Sequence, residues 1–542
     1  MARSGAPRHK RAWTVAAVIV GFLALYLAFF YFFGGWSLNA PVDLTLCNGD
    51  EPQSLDPSIV TGQLEGRIVL GLFEGLTTRD ASGKIIPGMA ESWDITPDGL
   101  TYTFHLRPGT KWSDGRPLTA NDFVISWERT LNPATASEYA YQLYYLVNAE
   151  AYNNGKLKDF SQVGVKAPDD HTVVVTLAHP TAYFLELTAF QTLVPLPIDT
   201  INKYGKDWIK PGKMISNGPY VLKEWRLNDY ILVEANPYYY RPVPVHRIKV
   251  LPTNHPMAVF NLFYSRKTDL VLDTRSIPST LVADIKDKPY FHGATIGATS
   301  FVRYNVKHKP FDDVRVRKAL TMALDKQDIV TKITRCGETV ANTLVPPGTP
   351  GYVSPKGLGY DVEAARKLLA DAGYPNGQGF PDVNLLYAAR GTAPAVATEL
   401  QALWRRDLGI TSIHLRQQEW KVYLNTQELM DYDLDLSAWI GDYNDPQTFI
   451  DMFVTDGGNN QTGWGNPQYD QLLATSEQTA DIGKRFGIMR DMEKILCEDE
   501  VPIVPLYFWV GMSLYYPDKV GGFEPNFVDD HRWGEFYIPG KP

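Results

Sequence analysis

Apolar and polar positions alternate along this chain at two periods, and each change of period marks the edge of an element. Thr103-Phe104-His105-Leu106 and Thr172-Val173-Val174-Val175-Thr176-Leu177 follow the two-residue period of half-buried strands. Pro108-Gly109 and Asp114-Gly115 are turn punctuation, and Thr119 is placed to cap a helix carrying Phe123, Trp127 and Arg129. Leu44-Thr45-Leu46 reads as a short strand, and a helix from about Gln63 to Leu72 ends in Phe73-Glu74-Gly75-Leu76. Asn217-Gly218-Pro219-Tyr220 makes a turn that opens a hairpin, Val221 to Arg226 against Tyr230 to Glu234 around Asn228-Asp229. Pro310 and Asp312-Asp313 mark a helix start, with Val316, Ala319, Leu320, Ala323 and Leu324 at helical spacing behind them. Asp361 opens an amphipathic helix through Leu368 and Leu369, closed by Gly373 and Pro375. Asp433, Asp435 and Ser437 alternate with Leu434, Leu436 and Ala438 as on a half-buried strand, which runs into a polar turn at Asp442-Tyr443-Asn444-Asp445.

The length of 542 residues exceeds what one core can hold, so two or three domains are expected. Apolar residues at 44% and charged ones at 21% fit a globular chain. The formal charge of −9 conceals a split, because Arg3, Arg8, Lys10 and Arg11 face no acid in the first 40 residues. The remainder holds 48 basic against 61 acidic residues, and an acidic body without a basic stripe excludes nucleic acid as the expected partner.

From Ala12 to Phe33 no charge interrupts a run rich in Val, Leu and Phe. About 21 helical residues at 1.5 Å each span roughly 30 Å, the thickness of bilayer hydrocarbon. The preceding basic residues keep the N-terminus cytoplasmic and place everything after about residue 37 outside. Gly35-Trp36-Ser37 is a poor cleavage site, so an uncleaved membrane anchor is the preferred expectation and a signal peptide cleaved near Ser37 the alternative. Cys47, Cys336 and Cys497 form no metal or redox motif; Cys336 and Cys497 fit either a bridge or two buried thiols. G-x-S-x-G, H-E-x-x-H and Walker patterns are absent, so neither an enzyme nor a cofactor or metal is expected.

Phe104 to Pro133, FHLRPGTKWSDGRPLTANDFVISWERTLNP, resembles a segment of the peptide-type (oligopeptide/dipeptide) solute-binding proteins of ABC importers, family 5. The blocks at residues 44–76, 217–239 and 305–320 resemble the same family, and Trp439-Ile440-Gly441-Asp442-Tyr443-Asn444-Asp445-Pro446 is similar to its WxxDYxDP motif. The resemblance implies an α/β, two-lobed periplasmic-binding-protein-like (cluster C) fold with a hinge and an additional peripheral domain. It divides the chain into a basic tail and anchor (1–41), lobe I (42–76, 196–298 and 508–542), peripheral domain II (77–195) and lobe III (299–507). It also implies a monomer outside the cytoplasmic membrane that hands peptides to ABC permease subunits. By the same resemblance, Asp442 takes the peptide's α-ammonium group, and backbone pairing comes from Thr61-Gly62-Gln63 and from Ala438 and Trp439, with Tyr443 and Asn444 beside them. Two positions where some members clamp the ligand's carboxylate hold Gln427 and Leu436, so little dependence on a free C-terminus is expected unless Arg390, Arg303 or His308 substitutes. Other cargoes (a cell-wall peptide, a nickel complex, haem) and a membrane-tethered peptide sensor or chaperone remain open readings of the same residues.

Overall fold

A computed structural model describes residues 41–541 except Ala182, Pro350 and Ala480. The expected anchor at residues 12–33 lies outside the described residues; among these, no helix is long and apolar enough to cross a membrane.

β1 (Leu44–Cys47) is followed by a two-stranded sheet of β2 (Thr77–Arg79) and β3 (Ile85–Pro87). A second, antiparallel sheet holds β4 (Ala90–Ile95), β5 (Thr101–Leu106), β6 (Val165–Asp169) and β7 (Thr172–Thr176) in the order β4-β5-β7-β6. The other strands join β1: β8 (Tyr220–Arg226), β9 (Tyr230–Ala235), β10 (Arg247–Leu251), β11 (Leu270–Val271), β12 (Phe291–Tyr304), β13 (Thr339–Val340), β14 (Val383–Ala388), β15 (Ile413–Gln418), β16 (Leu434–Ile440) and β17 (Ile503–Tyr515). Their order is β15-β14-β16-β12-β17-β11-β1-β10-β9-β8, with β13 added on β17.

The two long strands, β12 and β17, therefore carry the sheet from one half to the other. Their antiparallel ladder breaks in the middle, between the Thr295–Val510 and Thr299–Phe508 pairs, so that β12 bulges at Ile296-Gly297-Ala298. The freed backbone of Gly297 is satisfied elsewhere: its N–H donates to the Phe527 carbonyl at 2.6 Å, and its carbonyl accepts from Gly441 N–H at 2.8 Å. A Cβ here would lie 2.3 Å from the Phe527 ring, so space alone restricts the bulge to glycine.

Separate apolar clusters flank the break. One gathers β1, β8–β10 and the four-stranded sheet, with Phe104, Phe123, Trp127 and Tyr220 inside. Another packs β12, β14 and β16 against helices Val314–Met322, Val362–Asp371 and Ala393–Leu408.

Local chemistry accounts for most element edges. Helix Ala120–Leu131 starts where Asp122 Oδ2 accepts from Thr119 N–H at 2.7 Å. Its inner face is fixed by Trp127 Nε1–H donating to the Leu193 carbonyl at 2.9 Å, and Arg129 forks onto Asp56 at 2.9 and 2.6 Å. Helix Gln63–Leu72 occupies its expected span, and the β8–β9 hairpin turns at Asn228, whose φ is +58°. Asp313 caps helix Val314–Met322 and Asp361 caps helix Val362–Asp371, each through a main-chain N–H. The first of these stops short of the expected Leu324, because Asp325 caps a new short helix instead. The disulfide alternative is corrected: Cys336 and Cys497 are free, buried in different apolar clusters, and their thiols are pushed up by burial.

Candidate functional site

A cavity of about 230 Å³ opens where the two halves of the sheet meet. One wall comes from Thr61-Gly62-Gln63, helix Gln63–Leu72 and the turn Thr274–Ser276; the opposite wall comes from Ser300, helix Trp420–Glu428 and the run from Leu436 to Asp442.

The far wall is an open strand edge. β14 pairs with β16 only through Leu434, Asp435 and Leu436, whereas β12 pairs with all of β16 up to Ile440. From Ser437 to Ile440, one edge of β16 therefore has no strand partner among the described residues, and this stretch lines the cavity. Such an edge offers main-chain donors and acceptors to an extended ligand. Ala438 and Trp439 sit on it, and the indole N–H of Trp439 is buried without a hydrogen-bond partner.

Asp442 stands at the end of this edge. Gln142 Nε2 donates to its carboxylate at 2.9 Å and Tyr139 Oη at 3.4 Å, while its N–H donates to Thr448 Oγ1 at 2.9 Å. Burial drives its pKa well above the usual carboxylate range, and the charge of Asp451 adds to the effect; Tyr139, Arg79 and Gln142 only oppose it. None of the ion pairs among the described residues uses Asp442, so its carboxylate has hydrogen bonds but no cation in contact.

Thr61, Gly62 and Gln63 face the strand edge across the cavity. Gly62 ends the incoming chain at the helix N-terminus, where a Cβ would lie 2.0 Å from Glu65 Oε2. Gln63 Nε2 donates to Asp529 Oδ2 at 2.7 Å, and the same oxygen holds Arg67 at 2.5 Å. Asp529 and Asp530 thus line the cavity, although their adjacency in sequence reads as a plain turn.

Tyr443 and Asn444 lie outside the cavity lining. Tyr443 is fully buried, stacked on Tyr183 at 4.4 Å and donating to Asp451 at 3.0 Å, while exposed Asn444 donates its N–H to Glu186 at 2.9 Å. Both therefore hold the turn that presents Asp442.

The three basic candidates all have acidic partners, in keeping with ion-paired side chains and not with free clamps. Arg303 lines the cavity but is paired with Asp435 at 3.2 Å, and Arg390 lines it while bridging Asp50 at 3.1 Å and Asp273 at 2.9 Å. His308 is outside the lining, against Asp433 at 2.9 Å. Gln427 and Leu436 do line the cavity; Gln427 donates to Asp435 at 2.7 Å. Tyr139, Gln142 and Arg275 have no periodic signal in the sequence, because they sit in or beside 3-10 turns too short to show one.

Residues 84–461 match the model of the bacterial extracellular solute-binding proteins, family 5. The periplasmic oligopeptide-binding protein OppA of Escherichia coli (strain K12) is 34% identical, over 95% of this chain and 96% of that one. The crystal structure of Haemophilus influenzae OppA in complex with RPPGFSPFR superposes with a TM-score of 0.87 at 32% identity, covering 92% of this chain and 99% of that one. The Escherichia coli murein tripeptide binding protein MppA gives 0.87 at 31% identity, with 92% and 99% covered. The unliganded open form of MppA gives only 0.61 over 92% and 98%, so the arrangement described here departs from the open one. Family model, full-length similarity and shared two-lobed α/β architecture agree: the chain belongs to the bacterial extracellular solute-binding proteins of family 5.

Proposed function

We propose that the cavity holds an extended oligopeptide, with its α-ammonium group on Asp442 and its main chain along the open edge of β16, for delivery to the permease of an ABC importer. The observation that carries this reading is the pairing of two unmet needs at one place. A half-buried carboxylate without a cation in contact ends a strand edge without a partner. An amine-terminated peptide meets both, through a charge-assisted hydrogen bond worth about 1.5–3 kcal/mol and through backbone pairing that is blind to side chains. The relatives support it, since one is named for a murein tripeptide and another is complexed with RPPGFSPFR. In this reading, residues 42–76, 196–298 and 508–542 close against 299–507 about the Gly297 bulge, with 77–195 carried by the first group. Titration calorimetry with one peptide and its N-acetylated form tests the assignment; equal affinity of the parent protein for both would sink it.

We further infer that residues 12–33 tether the protein to the outer face of the cytoplasmic membrane. The full-length chain should sediment with membranes and resist extraction by high salt. Lysines at Leu23 and Leu25 should prevent this, since each costs about 2.5–3.5 kcal/mol at a helix centre. An intact mass corresponding to a chain beginning near Leu38 would refute the tether in favour of a cleaved signal.

A further inference from the structure

We propose that Arg275 binds a carboxylate of the peptide, so that the cavity engages its cargo at two charges of opposite sign. This rests on the peptide reading above and deepens it.

Four arginines line the cavity: Arg67, Arg275, Arg303 and Arg390. Three of them are neutralised by buried acids: Arg67 by Asp529, Arg303 by Asp435, and Arg390 by Asp50 and Asp273. Arg275 makes no ion pair or hydrogen bond among the described residues, and its Nε is buried without a partner. Asp273, two positions away, gives the same carboxylate oxygen to Arg390 and to Ser276 Oγ at 2.9 Å each. Glu338, another acid of the lining, accepts from Thr334 Oγ1 and Cys336 N–H at 2.9 Å and not from Arg275.

The guanidinium is nonetheless held in place. It lies 4.4 Å from the Trp509 ring centroid and 6.0 Å from that of Trp420, which covers a face of the planar group and leaves its edge donors free. Its backbone is pinned to β17 by Thr274 Oγ1, which donates to the Met512 carbonyl at 3.2 Å and accepts from Met512 N–H at 2.8 Å. Burial and the neighbouring Arg390 bring its pKa down to about 10, the sign of a positive charge short of compensation. Arg275 is half-buried with its Nε enclosed, and a cation so placed is costly unless something supplies the countercharge; a carboxylate matches a guanidinium edge with two parallel hydrogen bonds.

The positions of the two charges suit one ligand. Arg275 follows β11 and Asp442 follows β16, with β17 and β12 between them. Both groups line the one cavity, Arg275 on the wall with the turn after β11 and Asp442 at the end of β16 on the other, so a ligand whose amine meets Asp442 can offer a carboxylate to the opposite wall. This reverses the weak dependence on a free C-terminus expected from Gln427 and Leu436, because the candidate clamp sits on the opposite half of the sheet from both.

Calorimetry on the parent protein, Arg275→Met and Arg275→Lys with tri-, tetra- and penta-alanine, each as free acid and C-terminal amide, decides the matter. A second series of amidated peptides carries Asp or Asn at successive internal positions, to separate a side-chain carboxylate from the C-terminal one. We expect the parent to prefer the carboxylate form at least tenfold in one series. Arg275→Met should reduce that preference below twofold while leaving amide binding within threefold, and Arg275→Lys should retain part of it. A preference below twofold in both series, or one that survives in Arg275→Met, overturns the proposal and leaves the peptide reading standing. Failure of the parent to bind any peptide in either form would instead sink the peptide reading. Since Arg275 contributes no ion pair to the fold and its charge lacks a partner, the thermal midpoint of Arg275→Met should be no lower than the parent's; should Met prove unfit at this position, the parent's acid-to-amide ratio and the Lys variant still decide.

Discussion

Asp442→Asn should weaken binding of a free-amine peptide by about 2–5 kcal/mol, because the ligand's buried ammonium then has no anionic partner. The substitution keeps the shape of the side chain and an oxygen for the Gln142 amide, which now donates at 2.9 Å. It removes only the charge. An N-acetylated peptide carries no ammonium to strand, so it should bind parent and variant with similar, low affinity. The double-mutant comparison then isolates the amine–carboxylate term, and equal losses for the free and acetylated peptides would reassign Asp442 to holding its turn. The raised pKa of Asp442 has a mechanical corollary. Closing the cleft without cargo confines a carboxylate that must either take up a proton or remain unpaired, whereas closing on an amine removes that cost. On the assignment proposed for Asp442, cargo is favoured in the closed form through its charge, and a ligand can shift a two-state equilibrium only through such a difference.

Elements whose edges are set by local chemistry were legible from the residues alone. Thr119, Asp313, Asp361 and the Asn228 turn each act within a few residues of themselves, and the structure uses them at those places, adding Asp122 as the partner of Thr119. Asp442 was legible only through a motif resemblance, since a polar turn after a strand looks the same whether or not it faces a cavity. The groups that complete the cavity were not legible. Gln142 lies 300 positions before Asp442 in the chain, and Asp529 meets Arg67 across 462 positions, distances over which no period or spacing carries information. Charge state was invisible for the same reason. Arg303, Arg390 and Arg275 read alike in the sequence, and only the acids beside the first two distinguish structural arginines from one with donors to spare.

That distinction predicts opposite consequences for two arginines of one cavity. Arg303→Met should cost about 3–5 kcal/mol of stability, the range for removing one partner of a buried ion pair. Arg303 and Asp435 are opposite each other in the β12–β16 ladder, and their side chains are 3% and 0% exposed. Asp435 also accepts from Gln427 Nε2 at 2.7 Å and Tyr423 Oη at 2.8 Å, so the variant leaves a carboxylate that is hydrogen-bonded but has lost its cation. Burial already raises the Asp435 pKa against the opposing charge of Arg303, and losing that charge raises it further. A carboxyl whose folded pKa exceeds its unfolded value of about 3.9 penalises folding most above the folded pKa, and the penalty fades as pH falls toward the unfolded one. The stability deficit of Arg303→Met, measured by urea unfolding, should accordingly be largest near neutral pH and shrink on acidification. On the proposal for Arg275, the acid-to-amide preference of any variant that remains folded should persist, because Arg303 is not the group assigned to the carboxylate. A deficit below 1 kcal/mol at neutral pH, or a lost carboxylate preference with intact stability, would make Arg303 the ligand's partner and Asp435 dispensable to the fold.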